Sequence, residues 1–289
     1  MARFIQYMTK DSTYNGPFDD KSGWPAAGMG DVIVTDKGGL IVVDGGQPND
    51  AESFVELLEA NAQGKRPEVE LWIITHPHLD HYGAIREIVR NDALKNRISV
   101  KKFVYWFPTE FCNRNGDTNI FKGDEAAMQE ACRVMGAEYH RPARDEKFVL
   151  DDVELEFLYV PDDCSVLNTS GGNCNLCSLI FTVKGNERKA MITGDAYRRS
   201  MQITAWRYAR KLKCDILQMP HHALCDAFCV DFYRYTNPSI VFLPISEGAY
   251  RSMHSEIYER LEGCIANMCV EAKAEKVYKA FDGTAEVTI

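Results

Sequence analysis

Residues 75–84 read Thr-His-Pro-His-Leu-Asp-His-Tyr-Gly-Ala, so four metal-capable side chains (His76, His78, Asp80, His81) fall within six positions. An apolar β-type run, Leu71–Ile74, leads in, and a segment of helical spacing (Ala84, Ile85, Ile88, Val89) leads out. Three of the chain's seven histidines thus gather where a strand gives way to a helix. Side chains two apart on an extended piece point the same way, so His76 and His78 are expected to close on one metal ion. Asp80 and His81, at the turn into the helix, point elsewhere and are expected to serve a second ion. A chance cluster of surface histidines would rarely reach this density around an aspartate.

Composition narrows the classes. At 289 residues the chain suits one large domain or two ordinary ones. It has no repeats, low-complexity tracts or long linkers, so a single domain over residues 1–289 is expected. Apolar residues at 45% and charged residues at 26% are those of a soluble globular protein. No apolar stretch approaches the ~20 residues that span a bilayer, and the N-terminus is too polar for a signal peptide. The expected location is cytoplasmic, without a membrane partner. Ten cysteines then read as reduced thiols. Cys174-x-x-Cys177 and Cys225-x-x-x-Cys229 lack the flanking glycines and second pair of a zinc knuckle. The formal charge, 33 − 42 = −9, argues against a nucleic-acid partner, because phosphate contacts dominate such affinity. The basic cluster Arg198, Arg199, Arg207, Arg210, Lys211 and Lys213 reads as a solvated helix face. A small-molecule substrate fits best, and a homo-oligomer is compatible.

Strand-like runs fall at Val32–Thr35, Leu40–Val43, Leu71–Ile74, Lys102–Trp106, Lys147–Val149 and Val153–Tyr159. Others follow at Ser178–Val183, Ala190–Thr193, Asp215–Met219, Ile240–Pro244, Val277–Ala280 and Ala285–Thr288. Helical patterns occupy Ala51–Ala62, Ala84–Asn91, Asp124–Met135, Ser200–Leu212, Asp226–Tyr235 and Ser255–Asn267. This mixed order suits two sheets packed face to face with helices outside. Two aspartates stand at strand ends: Asp44 before Gly45-Gly46, and Asp195 after Thr193-Gly194. Either can be a plain turn residue. His221 and His222 close the run Asp215–Pro220.

The spacing of residues 76–81 resembles the HxHxDH signature of the metallo-β-lactamase superfamily. That resemblance implies an α/β fold of four αββα layers, and an enzyme that is a metal-dependent hydrolase. It also implies two divalent ions, zinc foremost, with manganese and iron as alternatives. By it, Asp44 orients the metal loop, Asp195 bridges both ions, and Asp80 and His81 bind the second. The series Gly28-Met29-Gly30-Asp31, Thr193-Gly194-Asp195 and Pro220-His221-His222 narrows the likeness. It looks like the hydrolase domain of ComEC-like competence proteins and like phosphorylcholine esterases. On that match His221 is a ligand beside Asp80 and His81, and His222 donates a proton; spacing alone does not choose between them. A histidine after the last core strand also fits the pattern, so His254 is either a substrate-side residue or a helix cap. His140 matches no motif and is read as a surface or packing residue.

The third histidine of the first ion is missing, since Val160 to Cys177 contains none. His76, His78 and Asp195 would then be completed by water, substrate, or Asp162, Asp163 or Asn173, and that ion held more weakly. The expected reaction is hydrolysis by a hydroxide shared between two ions, which bring water toward pKa ~7. Asp80, His222 and Asp44 are the expected catalytic residues. A small phosphodiester or phosphoester is the expected substrate, making the chain a phosphodiesterase. The alternatives are a carboxylic ester, lactone or thioester hydrolase, or a di-iron protein reducing oxygen or nitric oxide.

Overall fold

Short apolar strands, most of them buried on both faces, build two mixed sheets. The computed structural model describes residues 1–16, 27–108, 124–162, 174–256, 258 and 260–289. The first sheet holds β1 (Arg3–Gln6), β2 (Gly30–Val34), β3 (Leu40–Asp44), β4 (Glu68–Ile73), β5 (Ser99–Val100), β6 (Lys102–Val104), β7 (Glu138–His140) and β15 (Ala285–Thr288). Its order is β15-β1-β2-β3-β4-β6-β7, with β5 beside β4. The second holds β8 (Lys147–Leu150), β9 (Val153–Tyr159), β10 (Ile180–Lys184), β11 (Lys189–Ile192), β12 (Ile216–Gln218), β13 (Ile240–Leu243) and β14 (Lys276–Lys279). Its order is β14-β13-β12-β11-β10-β9-β8.

The α-helices among the described residues are α1 (Ala51–Asn61), α2 (Leu79–Arg90), α3 (Asp92–Lys95), α4 (Asp124–Met135), α5 (Arg198–Tyr208), α6 (Val230–Thr236), α7 (Glu247–Met253) and α8 (Glu262–Lys273). Three apolar layers glue four layers of structure together. Phe54, Val55 and Leu58 of α1 and Ile85 and Ile88 of α2 cover Val32, Val42 and Trp72 on the outside of the first sheet. Between the sheets, Phe4, Ile33, Ile41, Val43 and Ile73 share one cluster with Phe157, Phe181, Ile192, Ile216 and Phe242. The Phe4 and Phe242 rings stack across this gap at 5.2 Å. Truncating either to alanine would cost about 3–5 kcal/mol. Met201, Ala205 and Phe232 cover Leu217 and Val241 on the far side. The result is the αββα arrangement expected from the sequence.

Several elements depart from the sequence reading. The helix expected from Ala84 starts at Leu79, so Asp80 and His81 lie in its first turn rather than ahead of it. The helix expected at Ser255–Asn267 starts only at Glu262, as α8 with Leu261 at its N-cap, and a separate helix, α7, ends ahead of the expected range with His254 at its C-cap. Strand β1 has no distinctive pattern of its own; its pairing with β2 and β15 defines it. His140, in β7, pairs with Glu146 at 2.9 Å and packs on Phe148, a packing role as expected.

Candidate metal centre

Strands β3 and β4 run parallel, as do β11, β12 and β13, so their C-terminal ends meet at one rim of the sandwich. Each end delivers one part of the cluster: Asp44 from β3, residues 75–81 after β4, Asp195 after β11, and His221 and His222 after β12. The approach is tight. A Cβ on Gly28 would lie 2.8 Å from Gly46 Cα and 3.2 Å from the Asp80 carbonyl oxygen. Gly194, at φ +49°, sits so close to Thr75 that a Cβ would be 2.7 Å from its Cβ and Oγ1. These contacts explain the glycine beside each aspartate motif.

Asp195 is buried and its two oxygens face opposite ways. Oδ1 lies 3.2 Å from His81 Nε2 and 3.5 Å from His222 Nε2. Oδ2 lies 3.5 Å from His76 Nε2 and 3.8 Å from His221 Nε2. Asp80 Oδ2 completes the first side, 3.2 Å from His222 Nε2 and 3.8 Å from His81 Nε2. Two groups of donor atoms result: Asp80, His81, Asp195 and His222, and His76, His78 and Asp195, each within 4.8 Å of one another. Buried Nε2 atoms of His76, His81 and His222 and Oδ1 of Asp195 have no hydrogen-bond partner. Burying such atoms unsatisfied is costly, and a divalent cation on each side satisfies all of them. Nitrogen and oxygen donors without sulfur suit Zn²⁺, Mn²⁺ or Fe²⁺. The residues therefore fit two divalent ions that share Asp195.

The surrounding bonds fix how the donors point. Asp44, at φ +55°, accepts from Thr75 N and Thr75 Oγ1 at 2.8 Å and from His81 Nδ1 at 2.7 Å. Its own carbonyl accepts from Trp72 Nε1 at 2.7 Å. Holding the Nδ1 proton of His81 leaves the Nε2 lone pair aimed at Asp195, the orientation ligand histidines require. His222 donates from Nδ1 to the Pro244 carbonyl at 2.7 Å, with the same effect. Burial opposes charge on Asp195, but His81, His222, His76 and His221 hold it well below the usual carboxylate range. Burial likewise works against Asp80, and His81 and His222 overcome it and lower its pKa. Burial lowers the pKa of His76 well below its ordinary value, leaving its ring neutral and able to bind metal.

Residues 221–223 adopt left-handed backbone three times in succession, at φ +48°, +55° and +59°. Such strain in non-glycine residues persists only where surrounding bonds over-determine it. Here His221 N donates to the Gly194 carbonyl at 3.1 Å, and His222 is tied to Pro244. The turn sends the adjacent rings to different places. His222 stands beside Asp80 and His81, which corrects the expectation that His221 would. His221 instead donates from Nδ1 to Asp226 at 2.8 Å and meets the Asn175 amide nitrogen at 3.1 Å through Nε2. Tyr197 donates to the same Asp226 at 3.1 Å and packs edge-on against the His221 ring.

Asp226, Asn175, Thr75 and Ser178, whose Oγ receives the Asp195 N–H at 3.1 Å, are the partners sequence reasoning missed. Asp226, five positions after His221, and Thr75, next to His76, had a local signal. His254 belongs to neither metal-capable group; its ring lies 4.0 Å from Tyr250 and its Nε2 3.5 Å from Glu271. Of the residues expected to complete the His76 side, Asp162 is exposed, and Asp163 and Asn173 lie outside the described residues. All eight described cysteines are free thiols, and none enters a metal-capable group among the described residues. No described helix is long and apolar enough to cross a membrane.

Residues 31–224 match the model of the metallo-β-lactamase superfamily, and the chain belongs to that superfamily. With membership comes the enzyme class, metal-dependent hydrolase. Solved structures share the fold at low identity. Zn²⁺-bound PqqB from Methylobacterium extorquens superposes with TM-score 0.59 at 10% identity, covering 100% of both chains. Tm1679, a metal-dependent hydrolase of the superfamily, gives 0.51 at 12% identity over 99% of each. CmlA, a diiron β-hydroxylase from Streptomyces venezuelae, gives 0.53 at 11% identity over 99% of this chain and 54% of its own. No curated protein matches the chain in sequence.

Proposed function

We propose that the chain is a two-metal hydrolase of a small phosphodiester or phosphoester. The observation that carries this reading is the unequal pair of donor groups sharing Asp195. Asp80, His81, His222 and Asp195 Oδ1 form a set of four, whereas His76, His78 and Asp195 Oδ2 form a set of three. A three-donor set leaves a position open for water or substrate, as catalytic sites do. Two divalent ions would supply activated water at neutral pH and draw off charge from the attacked centre. The protein's own part is orientation and proton delivery. Asp44 and Pro244 fix the rings of His81 and His222.

His221 takes the proton-delivering position in place of His222, because it stands on the Oδ2 side with Asp226 behind Nδ1. An imidazole backed by a carboxylate can pass a proton from Nε2 to a leaving oxygen. The phosphodiester preference rests on the motif series at residues 28–31, 193–195 and 220–222, and on the net charge of −9, which disfavours polymeric nucleic acid. The test is hydrolysis of bis-p-nitrophenyl phosphate by protein reconstituted with Zn²⁺, Mn²⁺ or Fe²⁺, beside Asp195→Ala and elemental analysis. Metal-dependent cleavage lost in the variant supports the reading. Cleavage of p-nitrophenyl acetate alone would move the substrate to carboxylic esters, and protein that retains no metal under any loading would overturn the whole.

A further inference from the structure

The loop bearing His221 and His222 passes through Cys225 before the helix at Val230, and α8 lies against it. Asn267 on α8 donates from Nδ2 to the carbonyls of Ala223 at 2.8 Å and Leu224 at 3.4 Å. One turn earlier, Gly263 touches the loop so closely that a Cβ there would lie 1.7 Å from the Cys225 carbonyl oxygen and 3.0 Å from its Cα. The next helix residue, Cys264, is thereby set beside the Cys225 backbone, and each thiol bears on the other's titration. Cys264 is buried, with Met253 Sδ 3.8 Å from its sulfur, while Cys225 is half-buried and forms the open side of the pair. Cys229 and Cys214 are turned elsewhere, to Gln202 at 3.4 Å and to the Thr236 carbonyl at 3.8 Å.

We propose that Cys225 and Cys264 are a redox-active pair that closes to a disulfide and ties the two-histidine loop to α8. The oxidant is a low-molecular-weight disulfide. Deprotonated Cys225 attacks one of its sulfurs and expels one small thiolate, leaving a mixed disulfide on Cys225. Cys264, giving up its proton, then attacks the Cys225 sulfur and expels the second thiolate. The two expelled thiolates take up the two protons, so the protein loses two electrons and two protons and the oxidant becomes two thiols. Burial raises both thiols, Cys264 to about 12, and Cys225 is the one that solvent reaches. Cys225 is accordingly the attacking sulfur, and exchange quickens as pH rises.

The test treats the whole protein with glutathione disulfide, traps remaining thiols with iodoacetamide, and maps tryptic peptides by tandem mass spectrometry. Peptides 214–234 and 261–273 should be joined through Cys225 and Cys264, with loss of two alkylatable thiols per chain that dithiothreitol restores. Cys264→Ser and Cys264→Ala, each checked for a cooperative melt, should carry a glutathione adduct on Cys225 and no cross-link. Recovering both residues as free thiols under conditions that modify exposed Cys269 would overturn the proposal, as would a bond mapped to Cys229 or Cys269. Zinc-loaded protein should release its metal to a chelator more slowly when oxidised. Equal release rates in the two forms would overturn the claim that the bond ties the loop.

Discussion

Replacing Asp44 with asparagine tests whether the metal loop is held by one buried carboxylate. Asp44 is fully buried and accepts three hydrogen bonds, from Thr75 N, Thr75 Oγ1 and His81 Nδ1. Asparagine keeps Oδ1 for the Thr75 amide but turns a donor toward the His81 N–H. His81 must then flip its tautomer, placing a proton on the Nε2 that faces Asp195, or lose its partner. A buried donor left unsatisfied costs about 1–3 kcal/mol. Loss of such an orienting partner typically lowers metal affinity about 10–100-fold, which is about 1.4–2.7 kcal/mol. The loss should fall on the Asp80–His81–His222 side and spare His76 and His78. Competition with a chromophoric chelator, with metal counted per chain, reads this directly. Two ions retained by Asp44→Asn at wild-type affinity would refute the reasoning.

Three further outcomes are expected. Gly194→Ala forces a side chain into left-handed backbone and onto Thr75, and should cost about 2–5 kcal/mol in urea unfolding, the sum of backbone strain and overpacking. A change below about 0.5 kcal/mol would mean the loops are not packed as described. Asn267→Ala removes the donor to the Ala223 carbonyl and the nearer acceptor of the Tyr233 hydroxyl, and should lower stability by about 1–3 kcal/mol in the same assay. For Asp31, burial, reinforced by the charge of Asp44 and opposed by His81, raises the pKa well above the usual value. A raised folded-state value means its contribution is full below the unfolded pKa of about 3.9 and falls as pH rises toward the folded value. The advantage of Asp31→Asn over wild type should therefore grow with pH from about 4 upward, and urea midpoints that differ by a constant amount would contradict it.

The half of the site packed into residues 75–81 was legible because its donors are local: strand alternation and a helix start determine where they point. Asp195 was legible only through the family resemblance, since a carboxylate closing an apolar strand reads equally as a turn residue. The roles of His221 and His222 were not. Residues at φ +48° and +55° follow neither the period of a strand nor that of a helix, so adjacency says nothing of which ring reaches Asp80. Asn175 and Ser178 were invisible as partners because their contacts span 46 and 17 positions and leave no periodic trace. At the level of the fold, the apolar strand runs were legible and the four layers came with the family resemblance, whereas β1 depends on partners about thirty and about 280 residues away.

The parallel strand ends that gather the ligands have a counterpart at the other end of the sandwich. There the chain reverses between Thr35 and Gly39, closed by two backbone bonds, and between Gly185 and Arg188, closed by one. Neither turn contributes to a metal-capable group. The molecule is thus a tool with a working end and a handle. A fluorophore, a surface tether or an inserted peptide at the 35–39 turn would leave the chemistry facing outward and undisturbed.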